Sequence, residues 1–235
     1  MNLKKILLKN SFIYFFYKKL KIIKNSKKNQ HLGEFGEDIF IRRFFKKSNE
    51  GFYVDVGCYH PIKGSLTYYL FQSGWKGLNI DLSKVSVDLF KVARPNDHNI
   101  NAAVSNFDGE TFYYENGEIN QQNSLIGKDE KKKKIKINSY KLETILNDLS
   151  IQNIDYLNID AEGNDYKVLS SLNFSRHRPK LISIELNVYN TEAVIKDETH
   201  RLLSNENYFL ASKIGVTSIY IDKKYESSIN NIMSV

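Results

Sequence analysis

Only one cysteine, Cys58, stands among the 235 residues. That excludes an intramolecular disulfide framework and suits a reducing compartment. Cys58 itself reads as a small buried filler, since a reactive thiol would need a depressed pKa. Residues 1–30 lack acids altogether while carrying nine lysines; removing those charges from the net +7 leaves −2 for residues 31–235. The basic pI of about 9.2 therefore describes the N-terminal segment, and nothing in the remainder points to nucleic acid. The apolar run in that segment, Phe12 to Tyr17, is far short of the roughly 20 residues that span a bilayer. No small-residue cleavage site follows it, so a cleaved secretory signal is not expected. A basic segment with aromatics suits lying on an anionic membrane face; a solubilising lead-in, or a helix packed on the domain, is the plainer alternative. We therefore expect a tail and polar linker over 1–30, a single domain over 31–235, and a cytoplasmic protein with peripheral contact to the inner membrane face through the tail. There is no internal repeat.

Also missing is the Gly-x-Gly-x-x-Gly turn of dinucleotide sites. The first buried strand runs Phe52-Tyr53-Val54-Asp55-Val56 into Gly57, but His60-Pro61 stand where later glycines would be. A pyrophosphate needs a helix N-terminus laid bare by glycine. What is present is a series of apolar runs that end in acids. Leu78-Asn79-Ile80 ends in Asp81, one strand–helix–strand unit after Asp55, and Tyr156-Leu157-Asn158-Ile159 ends in Asp160-Ala161-Glu162-Gly163. In open parallel sheets the first turn brings backbone to an adenosine ligand and the second carboxylate takes ribose hydroxyls.

Periodicity predicts helices over 33–47, 64–73, 83–90, 141–149, 166–172 and 192–204. Strands are predicted over 52–56, 77–80, 98–104, 110–114, 134–137, 154–159, 181–186, 208–213 and 218–222, with a turn at Asn106-Phe107-Asp108-Gly109. The polar stretch between 114 and 134 includes Lys131 to Lys134, read as a solvated loop or a guide for an anionic acceptor. The alternation implies a doubly wound, mostly parallel α/β sheet.

Several short stretches resemble the FkbM-type methyltransferases, in order, from Gly33 to Asp222. They are Gly-Glu-Phe-Gly-Glu-Asp (33–38), Gly-Phe-Tyr-Val-Asp-Val-Gly (51–57), His60-Pro61, Ser65 with Thr67-Tyr68-Tyr69, and Gly74 through Asp81. Arg94-Pro95 with Asp97, Asp160 through Gly163, and Arg178-Pro179-Lys180 running into Glu185 complete the set. Leu66 and Leu82 depart from the family, which often has Asn at the first position and Pro or Ala at the second. The resemblance implies a class I, Rossmann-like fold of seven strands with the last antiparallel. It also implies S-adenosyl-L-methionine as cofactor and O-methylation of a glycan or other polar natural product. The methyl donor has no phosphate to seat, which agrees with the missing glycines. A nucleotide-dependent oxidoreductase, or a non-catalytic scaffold docked on a membrane, are the alternatives.

Candidate cofactor residues are Asp55 and Gly57 in the first turn, Asp81 for the ribose, and Asp97, Asn101 and Ala103 on the adenine side. Asp160 can bind the cofactor's amino group or act as the base that takes the acceptor's proton; Glu162 and His60 follow it as bases. Asp55 and Asp81 also make sense as turn and helix-start carboxylates, and His60 as a structural hydrogen-bonding group. Glu185 and Asn187 lie at the end of the strand predicted over 181–186, near the same edge, where convergent oxygens could also hold a divalent cation; no metal is expected.

Overall fold

The structure, a computed structural model, describes residues 32–115, 124–125, 133–188 and 190–233. The basic tail and its membrane contact lie outside these residues, as do Lys131 and Lys132.

Among the described residues ten strands form two sheets. β1 (Phe52–Val56), β2 (Lys76–Asp81), β3 (His98–Asn101), β7 (Tyr156–Ile159), β8 (Leu181–Glu185), β9 (Tyr208–Ile214) and β10 (Thr217–Asp222) make the larger, in the order β3-β2-β1-β7-β8-β10-β9. All neighbours are parallel except β10, which runs antiparallel to both β8 and β9. The central strands are near-continuous apolar runs because both faces are covered. Val54 and Val56 join a large cluster with Leu78, Leu157 and Ile182. Tyr53 and Tyr156 point the other way, into a cluster with Phe44, Phe45 and Trp75. Period-2 alternation thus divides each strand between two cores. Trp75 is buried and meets Phe45 edge-on with centroids 4.8 Å apart.

β4 (Ala103–Val104), β5 (Gly109–Glu115) and β6 (Lys133–Tyr140) form the smaller sheet, order β4-β6-β5. The expected single strand over 98–104 is therefore broken. Ala102 leaves the β2 ladder, donating to the Asp81 carbonyl at 3.2 Å, and the next two residues pair with β6 instead. Lys134, where the strand predicted over 134–137 begins, lies in β6 over the Phe112 ring at 4.3 Å.

The helices are α1 (Glu37–Phe44), α2 (Tyr68–Gln72), α3 (Lys84–Ala93), α4 (Leu142–Asp148), α5 (Asp165–Ser170), α6 (Thr191–Lys196), α7 (Glu198–Asn205) and α8 (Ile229–Met233), with a 3₁₀ stretch over Lys223–Ser228. α1 starts later than predicted because Gly36 is left-handed, φ 88°. Ser83, where the helix predicted over 83–90 begins, caps α3 by accepting from the Ser86 amide at 3.3 Å. The predicted helix over 192–204 is two helices. Asp197 adopts extended ψ 147° between them, and its side chain caps α7 by accepting from the Thr199 amide at 2.8 Å. Among the described residues no helix is long and apolar enough to cross a membrane.

Candidate active site

β1, β2, β7 and β8 all end on one edge of the large sheet, and antiparallel β10 begins there. A cavity of about 400 Å³ opens on that edge, a volume suited to a small ligand and in the place where open α/β sheets bind one. Asp55, Asp81, Asp160 and Glu185 reach it from β1, β2, β7 and β8.

The turn after β1 requires a glycine. Gly57 has φ 81°, and a Cβ there would sit 1.7 Å from the Asp160 carbonyl oxygen. Its amide and that of Cys58 donate to the Ile80 carbonyl at 2.9 and 3.2 Å, while the Asp160 amide donates to Val56 at 2.9 Å. Three strand ends are locked together by one small residue. His60 holds the rest of this turn: its Nδ1 accepts from the Ile62 and Lys63 amides at 3.1 and 3.0 Å. Its ring is buried and does not line the cavity, which corrects the expectation of a base or substrate contact. The imidazole does the turn-holding work that glycine and backbone do in dinucleotide sites. Cys58 is free and buried, and burial pushes its thiol pKa up, with Asp81 and Asp55 adding to the shift.

Asp81 accepts from the Tyr59 amide through Oδ2 at 2.8 Å and from the Ser83 amide through Oδ1 at 2.7 Å. Burial raises its pKa to about 6, against the pull of those two bonds. Each oxygen keeps a second acceptor direction, so the carboxylate can take two further hydroxyl donors. Asp55 is buried and engaged on both oxygens, by Thr67 Oγ1 at 2.8 Å and Asn158 Nδ2 at 2.9 Å. Its pKa is raised by burial.

The adenine-side expectations shift. Asp97 does not line the cavity. It precedes β3, so it lies at the opposite sheet edge, accepting from the Gly77 amide and Asn79 Nδ2, each at 3.1 Å, and from the Tyr53 hydroxyl. Asn101 is exposed and does not line the cavity either; its amide clamps the chain after β2, donating to the carbonyls of Asp81 at 3.0 Å and Leu82 at 2.8 Å. Ala103 is wholly buried in β4, and its neighbours Ala102 and Val104 line the cavity instead.

Sequence reasoning gave Arg94 no role. It is fully buried, donating to Tyr53, Thr67, Ser65 and the Pro61 carbonyl. Thr67 passes that contact on to Asp55, and Tyr53 passes it to Asp97. One buried cation thereby ties two carboxylates, as a buried charge must be tied.

At the end of β7 the decisive residue is one that the sequence reading missed. Asp165 accepts from the Ala161 amide at 2.8 Å and the Gly163 amide at 2.9 Å, closing the turn before α5. Burial raises its pKa to about 6. Because Asp165 closes the turn, Asp160 and Glu162 are both left to line the cavity. Its signal was present in Asp-Ala-Glu-Gly-Asn-Asp, an acid two residues past a glycine at a helix start. Glu162 is held left-handed at φ 49°, and its carbonyl accepts from Ser124 Oγ at 2.7 Å. Burial and the nearby charges of Glu185, Asp165 and Glu34 raise its pKa to about 7. Asp160 hydrogen-bonds with Glu185 across the β7–β8 step. Burial, then the Glu185 charge, pushes the Asp160 carboxyl well above the usual range; Glu185 is raised too, mainly by burial. Glu185 Oε2 is buried and has no partner.

Glu34 and Glu37 also line the cavity, so that among the described residues seven carboxylates and no Lys, Arg or His line it. Such a wall repels pyrophosphate and attracts cations and hydroxyl donors. Among the described residues, no three His, Cys, Asp or Glu side chains are placed to hold a metal ion.

Neither the curated proteins nor the solved structures contain a match to the chain. The family model for the methyltransferase FkbM domain matches residues 55–210, well over half of the chain. That span holds Asp55, Gly57, Asp81, Asp160, Glu162 and Glu185, while the Gly33–Asp38 stretch precedes it. The chain therefore belongs to the FkbM-domain methyltransferases, and its mixed α/β structure with a seven-stranded, mostly parallel sheet fits a Rossmann-like methyltransferase.

Proposed function

We propose that this protein is a class I, S-adenosylmethionine-dependent O-methyltransferase that acts on a hydroxyl of a glycan or other polar natural product. The observation that carries the reading is the cavity wall: acids at four strand ends and, among the described residues, no basic lining residue. S-adenosylmethionine carries a sulfonium and an ammonium against one carboxylate, and it supplies a methyl group on a good leaving group. The donor set fits it, since ribose hydroxyls and an ammonium all need acceptors. A dinucleotide fits poorly, because among the described residues no cation lines the cavity to meet its phosphates.

Asp81 holds the ribose hydroxyls on this reading, and Gly57 lets the backbone approach. The residues of β7 and β8 orient the acceptor hydroxyl and take its proton. When the Asp160–Glu185 pair is ionised, its high proton affinity makes it an effective acceptor. Glu162, titrating near 7, is the second candidate. Negative charge here also favours the positive charge that develops on an oxygen being methylated.

Calorimetric titration tests the donor assignment. S-adenosylhomocysteine should bind and NAD should not. Asp81→Ala should weaken S-adenosylhomocysteine about tenfold or more, the worth of lost hydrogen bonds to a charged group. NAD binding with no response to S-adenosylhomocysteine would return the protein to the oxidoreductases.

A further inference from the structure

The strand order separates the cavity into two ends. Asp81 on β2 and Glu185 on β8 are three strand steps apart, about 14 Å at the usual spacing. If Asp81 takes the donor's ribose, as proposed above, the β8–β10 end belongs to the acceptor. That end has its own construction.

Phe35 lines it, yet 55% of its surface is exposed. An exposed phenyl at the mouth of a polar cavity is ordinarily a mobile side chain. This one is on a braced strap. The Leu32 and Gly33 amides donate to Asp38 at 3.0 and 3.1 Å, and the Phe35 amide donates to Glu37 at 3.0 Å. Thr217 donates to the other oxygen of Glu37 at 3.3 Å, fixing the strap to β10. The ring lies against Gly215 in the β9–β10 hairpin, where a Cβ would meet Phe35 at 2.4 Å. A bare glycine leaves the ring room to lie flat on the hairpin.

Glu34, Glu162 and Glu185 line the same cavity as Phe35, and Thr217, two residues past Gly215, is registered opposite Glu185. Glu185 presents the unpartnered buried Oε2. The cation nearest in effect, Lys213, donates to the carbonyls of Leu186 at 2.9 Å and Val216 at 2.6 Å, and does not line the cavity. An aromatic face beside acceptor oxygens is what a pyranose needs. Its axial C–H groups meet the negative ring face, and its hydroxyls donate to the carboxylates.

We infer that the acceptor end takes a pyranose without negative charge, neutral or amino-substituted, stacked on Phe35, and rejects phosphorylated sugars, nucleotide sugars and uronates. An anionic sugar would face three carboxylates, and among the described residues no Lys, Arg or His lines the cavity to offset them.

Saturation-transfer NMR on the full chain tests this with methyl glucoside, glucosamine, glucose 6-phosphate and glucuronate, each with and without S-adenosylhomocysteine. Methyl glucoside and glucosamine should bind, and the two anions should bind at least about tenfold more weakly, as like charges in a cleft require. Phe35→Ala should weaken the first two about fivefold, the scale of one aromatic contact, with S-adenosylhomocysteine affinity unchanged; Phe35→Tyr should restore them. Equal or tighter binding of the anions overturns the inference. So does failure of every sugar to bind, or a Phe35→Ala variant that binds them all as before. Loss of S-adenosylhomocysteine binding with sugar selectivity intact counts against the donor assignment alone.

Discussion

Burial raises both carboxyls of the hydrogen-bonded Asp160–Glu185 pair, and the Glu185 charge raises Asp160 further. This makes Asp160→Asn informative: the shape is kept and proton acceptance at that oxygen is lost. Turnover should fall about 10²- to 10⁴-fold, the usual span for a general base, with S-adenosylhomocysteine affinity nearly unchanged. Single-turnover methyl transfer beside a calorimetric titration checks this. Affinity falling in step with turnover would make Asp160 a cofactor ligand, and full specific activity would remove it from the chemistry. Asp55, Asp81 and Asp160 were legible in the sequence because each closes an apolar run, and a parallel strand's C-terminal end is where a ligand waits. Asp97, Asn101 and Ala103 were misjudged for a related reason. Closeness in sequence to β3 says nothing of which sheet edge a side chain occupies, and Asp97 comes before its strand rather than after it. His60 was misjudged because a histidine beside a cofactor turn has the same local sequence whether its nitrogens face ligand or backbone.

The β7–α5 turn is an element whose geometry rests on one side chain. Asp165→Ala removes the acceptor for two buried amides. Bonds to a charged acceptor are worth about 1.5–3 kcal/mol, so thermal unfolding should show a loss of that order. Turnover should fall as Asp160 and Glu162 lose their placement, while S-adenosylhomocysteine, which we propose is held at β1 and β2, should bind nearly as before. Asp165→Asn, which keeps one acceptor oxygen, should fall between. Wild-type stability in Asp165→Ala would show that the turn is fixed by something else. Element existence was largely readable, because buried strands are apolar runs and helices show a 3.6-residue stripe. Breaks were not. The bend at Ala102 and the extended Asp197 are set by tertiary partners, β6 in one case and the start of α7 in the other. No periodicity announces either.

For the molecule as a whole, the acidic cavity makes stability depend on pH in an unusual sense. Asp81 and Asp165 titrate at about 6 and Glu162 at about 7 in the folded protein, above the roughly 4 of an unfolded carboxyl. Between those values the folded state binds more protons than the unfolded one, so stability falls as pH rises from about 4 to 7. The melting temperature without ligand should decline over that window, and Glu162→Gln should flatten its upper end. A melting temperature that rises over the window would contradict the burial of these acids. A cationic ligand favours the ionised forms, so S-adenosylmethionine affinity should climb across the same interval. The large sheet, with β10 reversed, was expected from the family resemblance; the extra three-stranded sheet was not, since its strands were readable but their partners were not.

The hydrogen bond between Glu37 and Thr217 joins positions 180 residues apart. The strap that carries Phe35 therefore leaves the ribosome well before the hairpin it rests on. A nascent chain can pair β1 with β2 long before β10 exists, so the β1–β2 side of the cleft can take shape first. The wall on the other side stays open until translation has passed residue 217, and the proposed acceptor end is completed only then.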